Sequence, residues 1–291
     1  CTGYYCIAGI TNSIALDGSN YPHLAFYIGN EYDMIYYLYY TGTGWMSEPA
    51  QWGVAGSPRA LSMELYNGQP YLIIADDDGL EEVHKTTEWQ PAVPLESGDT
   101  GWYASLALDS YGRQRVSYFN KTLGQLRYTR YTGSTWQTPT TIATVGHDVG
   151  RFSSLEIDGT GRPHISYQDE TDDKLRYRYF EAGVWSGDTI DGTGTAAGFS
   201  SLALSGEIPT VVYKTKSGEL LYASRLYISI PPAHWIWLGT MNPIDTGLEA
   251  DESQKLRPSL AIASTGRMSV AYIKGSDLIY AYLDTTSGWI K

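Results

Sequence analysis

Short runs in which apolar and polar residues alternate fill the chain, and one run returns six times: Ser13-Ile-Ala-Leu-Asp17, Ala60-Leu-Ser-Met-Glu64, Ser105-Leu-Ala-Leu-Asp109, Ser154-Leu-Glu-Ile-Asp158, Ser201-Leu-Ala-Leu-Ser205 and Ser259-Leu-Ala-Ile-Ala263. Such alternation puts one set of side chains on each face of a strand. A turn follows each run, then a second strand: Pro22-His-Leu-Ala-Phe-Tyr27, Pro70-Tyr-Leu-Ile-Ile74, Arg115-Val-Ser-Tyr118, Pro163-His-Ile-Ser-Tyr167, Pro209-Thr-Val-Val-Tyr213 and Ser269-Val-Ala-Tyr272. Third strands carry Met34-x-Tyr36, Leu126-x-Tyr128, Leu175-x-Tyr177, Leu220-x-Tyr222 and Leu278-x-Tyr280, while the second repeat departs with Glu82-Val83-His84. A tryptophan comes after each third strand: Trp45, Trp89, Trp136, Trp185, Trp237 (or Trp235) and Trp289. No stretch longer than about ten residues holds a helical apolar period.

The repeat predicts an all-β fold, a six-bladed β-propeller of four-stranded blades occupying residues 1–291 as one domain. The last residues of the six runs, at 17, 64, 109, 158, 205 and 263, are evenly spaced except for the fifth step, which predicts an insertion at about 227–254 in blade 5. Residues 289–291 followed by 1–9 match in length the segment between one blade's tryptophan and the next blade. The N-terminal strand is therefore expected to close the sixth blade from outside, leaving no long free edge.

Charge and composition narrow the partners. The net charge of −12 repels phosphate backbones, so nucleic acid is not expected. The most apolar stretch, near 226–238, is interrupted by Pro231, Pro232 and His234 and is too short for a transmembrane segment. No signal peptide opens the sequence. Only two cysteines occur, Cys1 and Cys6; an extended chain would hold them too far apart to bridge, and an N-terminal Cys1 admits a lipid anchor as one reading. Without a spaced His or Cys pair, neither a cofactor nor a metal is expected.

The pattern Ser-Leu-x-Leu-Asp-x-x-Gly-x-Pro-His-x-Ser-Tyr, followed by Leu-x-Tyr and a tryptophan, resembles the secreted propeller repeats of the sialidase-like and lectin-like (BNR-type) kind. The resemblance spans the whole chain. Thr41-Gly-Thr-Gly-Trp45 and Thr132-Gly-Ser-Thr-Trp136 keep the glycine and tryptophan of the sialidase Asp-box but not its aspartate. It implies an extracellular or cell-surface location and carbohydrate binding. In the sialidase-like members it also implies three arginines holding a sugar carboxylate, with a tyrosine nucleophile activated by a glutamate.

The residues just before the inner strands should ring one opening: Arg59, Trp102, Tyr103, Arg151, Phe152, Phe199 and Arg257. Arg59, Arg151 and Arg257, from alternate blades, suit a clamp for a carboxylate or sulfate. Ordinary rim ion pairs are the reading to be preferred unless the three meet in one pocket. Glu156 stands where the aligned residues are Ala15, Ser62, Ala107, Ala203 and Ala261, and would be the catalytic carboxylate if the chain is an enzyme; pairing with a neighbouring arginine is the structural alternative. Trp235 and Trp237, in the insertion, are candidates for partner binding, either as a lid or as a docking surface. His23 and His164, and Asp17, Asp109 and Asp158, read as strand-packing and turn residues. Asp76–Asp78 and Asp169–Asp173 lack the ligand spacing of a calcium loop. Three functions stay open: a recognition module for a glycan or a cell-surface protein, a sialidase-like glycan-processing enzyme, and a structural subunit of a surface assembly.

Overall fold

The computed structural model describes residues 7–29, 33–143, 148–229, 234–239, 243–248 and 258–291. Six four-stranded antiparallel sheets follow one another along the chain, each a meander of consecutive strands, and the fold class is the all-β six-bladed propeller. The chain divides into two compact units of three blades each, Cys1–Thr144 and Val145–Lys291.

In the first unit, blade 1 is β1 (Ile7–Leu16), β2 (Pro22–Gly29), β3 (Met34–Tyr40) and β4 (Trp45–Trp52). Blade 2 is β5 (Ala60–Tyr66), β6 (Gln69–Ala75), β7 (Gly79–His84) and β8 (Val93–Ser97), and blade 3 is β9 (Trp102–Leu108), β10 (Gln114–Asn120), β11 (Gln125–Arg130) and β12 (Thr140–Ala143). In the second unit, blade 4 is β13 (Val149–Ile157), β14 (Pro163–Asp169), β15 (Lys174–Glu181) and β16 (Val184–Asp191). Blade 5 is β17 (Ala196–Ser205), β18 (Ile208–Thr215), β19 (Leu220–Ile228) and β20 (His234–Gly239), and blade 6 is β21 (Ser259–Ile262), β22 (Met268–Lys274), β23 (Asp277–Asp284) and β24 (Gly288–Ile290).

Apolar side chains fill the space between neighbouring sheets. Ile35, Leu61, Met63, Leu72 and Ile74 join blades 1 and 2, while Ile73, Leu80, Leu106, Val116 and Tyr118 join blades 2 and 3. In the second unit Leu175, Leu202 and Val211 pack between blades 4 and 5, and Val212, Leu220, Leu260 and Val270 between blades 5 and 6. Each such side chain stabilises the stack by about 2 kcal/mol of apolar burial.

A polar rung accompanies this packing. The first-strand serine of one blade accepts the main-chain N–H of the next first strand, at 3.0 Å in each case: Met63 N to Ser13 Oγ, Leu106 N to Ser62 Oγ, Leu202 N to Ser154 Oγ and Leu260 N to Ser201 Oγ. Asp17, Asp109 and Asp158 hold the hairpin after the first strand, Oδ1 of each accepting main-chain N–H groups two and four residues on.

The structure places Gly288–Ile290 as the fourth strand of blade 6 and pairs Ile7 and Ala8 with Gly29 and Ile28 in blade 1, while residues 1–6, on which the expected N-terminal closure falls, lie outside the described residues. Cys1 and Cys6, and with them the lipid-anchor reading, lie outside the described residues.

The structure corrects the alignment of two blades. In blade 2 the serine rung falls on Ser62 and the hairpin is a tight Asn67-Gly68 turn between Tyr66 and Gln69, so the repeat there runs Ser62-Met-Glu-Leu-Tyr66. Both turn residues have positive φ, 51° and 75°, the backbone that a two-residue hairpin requires and that Asn-Gly adopts readily. Hence Glu64, rather than Ser62, is the counterpart of Glu156, and Tyr66 takes the place of the turn aspartate. In blade 1 the third-strand motif is Ile35-x-Tyr37, because Tyr39 pairs with His23 as Tyr179 pairs with His164.

The blade 5 excursion is a long third-to-fourth-strand hairpin. Tyr227 pairs with Trp235 and Arg225 with Trp237, and the segment after β20 returns to the sheet through Ile244 N to Leu220 O at 2.7 Å and Leu248 N to Gly218 O at 2.9 Å.

Candidate functional site: an open cleft between blades 2 and 3

With the register fixed, the space between adjacent blades can be compared position by position. Between blades 1 and 2 the Tyr37 ring meets Trp89 edge-on, with centroids 5.4 Å apart. His23 binds the Tyr37 hydroxyl through Nδ1, faces Asp17 through Nε2 at 3.6 Å, and stacks on Tyr39. Lys85 of blade 2 pairs with Glu48 of blade 1, and Trp89 Nε1 donates to the same carboxylate at 3.2 Å.

Blades 4 and 5 repeat this arrangement. Tyr177 meets Trp237 edge-on at 5.1 Å, His164 binds the Tyr177 hydroxyl and Asp158, and Arg225 of blade 5 pairs with Asp188 of blade 4 at 2.8 Å. The Arg225 guanidinium lies 4.4 Å from the Tyr179 ring, 5.2 Å from Tyr177 and 4.9 Å from Trp235, within cation–π range of all three. Burial and, next, the negative charge of Glu48 push the Tyr37 hydroxyl well above the usual tyrosine range, and burial does the same for Tyr177. An ion pair and a phenol thus fill both spaces.

Between blades 2 and 3 the same positions hold different residues. Glu82 takes the place of Tyr37 and Tyr177, Val93 that of Glu48 and Asp188, Tyr131 that of Lys85 and Arg225, Tyr71 that of the histidine, and His84 that of Tyr39 and Tyr179. With neither the phenol nor the cation, the space opens into a cleft of ≈ 520 Å³, lined by Tyr66, Tyr71, Tyr111, Tyr131, Trp136 and the polar groups of Glu82, His84, Arg113 and Gln114. Gly112 closes one wall. Its φ is +73°, and a Cβ there would lie 2.4 Å from the Tyr66 ring, so only glycine lets the hairpin between β9 and β10 approach that ring.

The polar floor is buried. Glu82 is 2% exposed, and its Oε1 faces His84 Nδ1 at 3.0 Å and accepts from Gln114 Nε2 at 3.4 Å. Burial raises the Glu82 carboxyl above the usual range, with His84 and Gln114 pulling it back. Gln114, itself 4% exposed, stands where blades 1, 2, 4 and 5 carry Pro22, Pro70, Pro163 and Pro209, and its Oε1 has no hydrogen-bond partner. His84 stacks on Tyr71, and Arg113 lies over Tyr111 while donating through Nε to Asp109 at 2.8 Å. Rings for the apolar faces of a ligand, and acceptors for its N–H or O–H groups, converge on one volume.

The residues singled out from sequence lie elsewhere. Arg59 and Trp102 do come together: the guanidinium is 5.4 Å from the indole, pairs with Asp77 at 2.7 Å and approaches Asp99 at 3.7 Å, while Trp102 Nε1 donates to Asp99 at 2.5 Å. Tyr103 is buried against Phe119. In the second unit Arg151 is clamped by both oxygens of Asp148 at 2.5 Å, and Phe152 packs on Phe199 with centroids 4.4 Å apart. Arg257, the third member of the expected arginine clamp, is outside the described residues. Glu156 is half-buried on β13, opposite His164. Trp235 is exposed beside Tyr227, and Trp237 turns its ring inward against Tyr177.

The two acidic loops are taken up internally. Asp76 accepts the N–H groups of Ala55, Asp78 and Gly79, and Asp169 pairs with Arg176 at 2.6 Å. Among the described residues no group of three or more His, Cys, Asp or Glu has the arrangement of a metal site, and no helix is long and apolar enough to cross a membrane.

Solved structures share the architecture. BP39L lectin from Burkholderia pseudomallei matches with a TM-score of 0.74 at 14% identity, covering 96% of this chain and 82% of that one. Aleuria aurantia lectin, in complex with Fucα1-6GlcNAc, matches with a TM-score of 0.64 at 15% identity over 96% and 93% of the two chains. AofleA from Arthrobotrys oligospora matches with a TM-score of 0.61 at 14% identity over 96% and 84%. At these identities the likeness is one of fold, and it is to six-bladed propellers. No family model matches the sequence, and comparison with curated proteins gives no match.

Proposed function

We propose that this protein is a lectin-like recognition module that binds glycan in the cleft between blades 2 and 3, acting at a cell surface or outside the cell. One observation carries the reading: where the spaces between blades 1 and 2 and between blades 4 and 5 are sealed by an ion pair and a phenol, this one is open, ringed by Tyr66, Tyr71, Tyr111, Tyr131 and Trp136, and floored by the buried acceptors Glu82 and Gln114. Pyranose rings offer apolar C–H faces to aromatic side chains and hydroxyls to such acceptors, and the volume suits one or two sugar units. The fold likeness to BP39L lectin from Burkholderia pseudomallei and to Aleuria aurantia lectin supports the same reading.

A glycan array probed with the purified chain, followed by calorimetric titration of the best ligand, tests it. Discrete hits are expected, and Trp136→Ala should abolish them while the thermal midpoint stays close to that of the parent. A folded protein that binds nothing on the array, or hits that survive both Trp136→Ala and Glu82→Gln, would overturn the assignment.

A further inference from the structure

The two sealed spaces show what the open one lacks. In each, a cation from the third-strand end of the following blade, Lys85 or Arg225, inserts beside the Tyr and Trp rings and meets a carboxylate from the preceding blade, Glu48 or Asp188. In the open cleft the aromatic walls and a carboxylate remain, but the cation's position is Tyr131. The acid has moved inward to Glu82, the phenol's position, where it is more deeply buried than either Glu48 or Asp188.

We infer that the ligand supplies this cation: the cleft takes a glycan bearing a free protonated amine, an amino sugar that is not N-acetylated, its ammonium lying between Glu82 and the Tyr131 and Trp136 rings. The inference rests on the glycan reading above and specifies its ligand. A second, independent observation points the same way. The buried cleft atom without a partner, Gln114 Oε1, is an acceptor, and an ammonium carries three donors and no acceptor. His84 and Gln114 both reach the same Glu82 oxygen, Oε1, which leaves Oε2 for the ligand. The cleft's own guanidinium does not compete, because Arg113 is held on Asp109 and turned over Tyr111. The net charge of −12 favours approach of a cation over that of an anion.

The experiment compares three probes on the full chain by calorimetry and tryptophan fluorescence, at a pH where the amine is protonated: an oligomer of β-1,4-linked glucosamine, the fully N-acetylated oligomer, and tetramethylammonium chloride. The amine oligomer should bind about tenfold or more tightly than the acetylated one, and Glu82→Gln should erase that preference. Tyr131→Lys, which returns the cation to the chain, should compete with the ligand and weaken amine binding at least tenfold. If the acetylated oligomer binds as well as the amine, the inference falls and the glycan reading stands. If tetramethylammonium perturbs the fluorescence but neither oligomer binds, the glycan reading falls and the cation site stands. If none of the three binds, both fall.

Discussion

The cleft between blades 1 and 2 and the cleft between blades 2 and 3 share the same strand order and register, yet one is a piece of core and the other is a site. In the first, Tyr37, Lys85 and Glu48 satisfy one another and Trp89 caps them. In the second, Glu82, Tyr131 and Val93 at the same positions leave a volume, a buried acid and an unpaired amide oxygen. The comparison teaches that a repeat scaffold builds a binding site by subtraction: removing an internal ion pair exposes rings that were already there for packing.

The comparison breaks most sharply if the subtraction is reversed. Glu82→Tyr restores the repeat's phenol against Trp136 and should abolish ligand binding, a loss of at least a hundredfold by calorimetry, with the fold unchanged by circular dichroism. Binding that persists would place the site elsewhere. The reverse change in a sealed space is next in size. Arg225→Ala removes a guanidinium wedged among three rings and leaves Asp188 without its partner; because Asp188 is partly exposed, a loss of about 2 kcal/mol is expected in urea unfolding.

A pH effect of somewhat smaller size separates the two blades themselves. Blade 2 holds Glu64, whose carboxyl burial raises to about 7, where blade 1 has Ala15. A raised carboxyl contributes stability below its unfolded value and loses it as pH rises through about 7, so stability should fall by about 1–2 kcal/mol between pH 4.5 and pH 7. Glu64→Gln should flatten that slope. Asp17 in blade 1 acts with the opposite sign: main-chain N–H groups lower its carboxyl, so its contribution is lost only in acid, as pH falls below the ordinary aspartate value. Smallest is the serine rung: Ser62→Ala should cost about 1 kcal/mol, and Ser13→Ala the same, since each leaves one main-chain N–H without its acceptor. Unequal costs would mean that the open cleft relaxes its neighbours.

The blade count and strand order were legible because each strand carries its own apolar alternation and each hairpin its own turn residues. Blade 2 defeated the alignment for a physical reason. Its Asn67-Gly68 hairpin is shorter than the aspartate-held turns of blades 1, 3 and 4, so matching Glu64 to Asp17 slid the repeat by two residues and hid the equivalence of Glu82 with Tyr37. The cleft did leave a trace: Leu80-x-Glu82 replaces the recurrent apolar-x-Tyr, and Gln114 replaces a recurrent proline. Two departures from a repeat that meet across one interface are the signature of a site, whereas a search for arginines before the first strands found residues already spent on Asp77 and Asp148.

The serine rungs have a use beyond holding sheets together. The amides of Met63, Leu106, Leu202 and Leu260 are protected by a neighbour's hydroxyl rather than by their own sheet, so their deuterium uptake reports separation of one blade from the next and is blind to fraying within a blade. Four backbone positions thereby serve as gauges of how far an opening event spreads along the array.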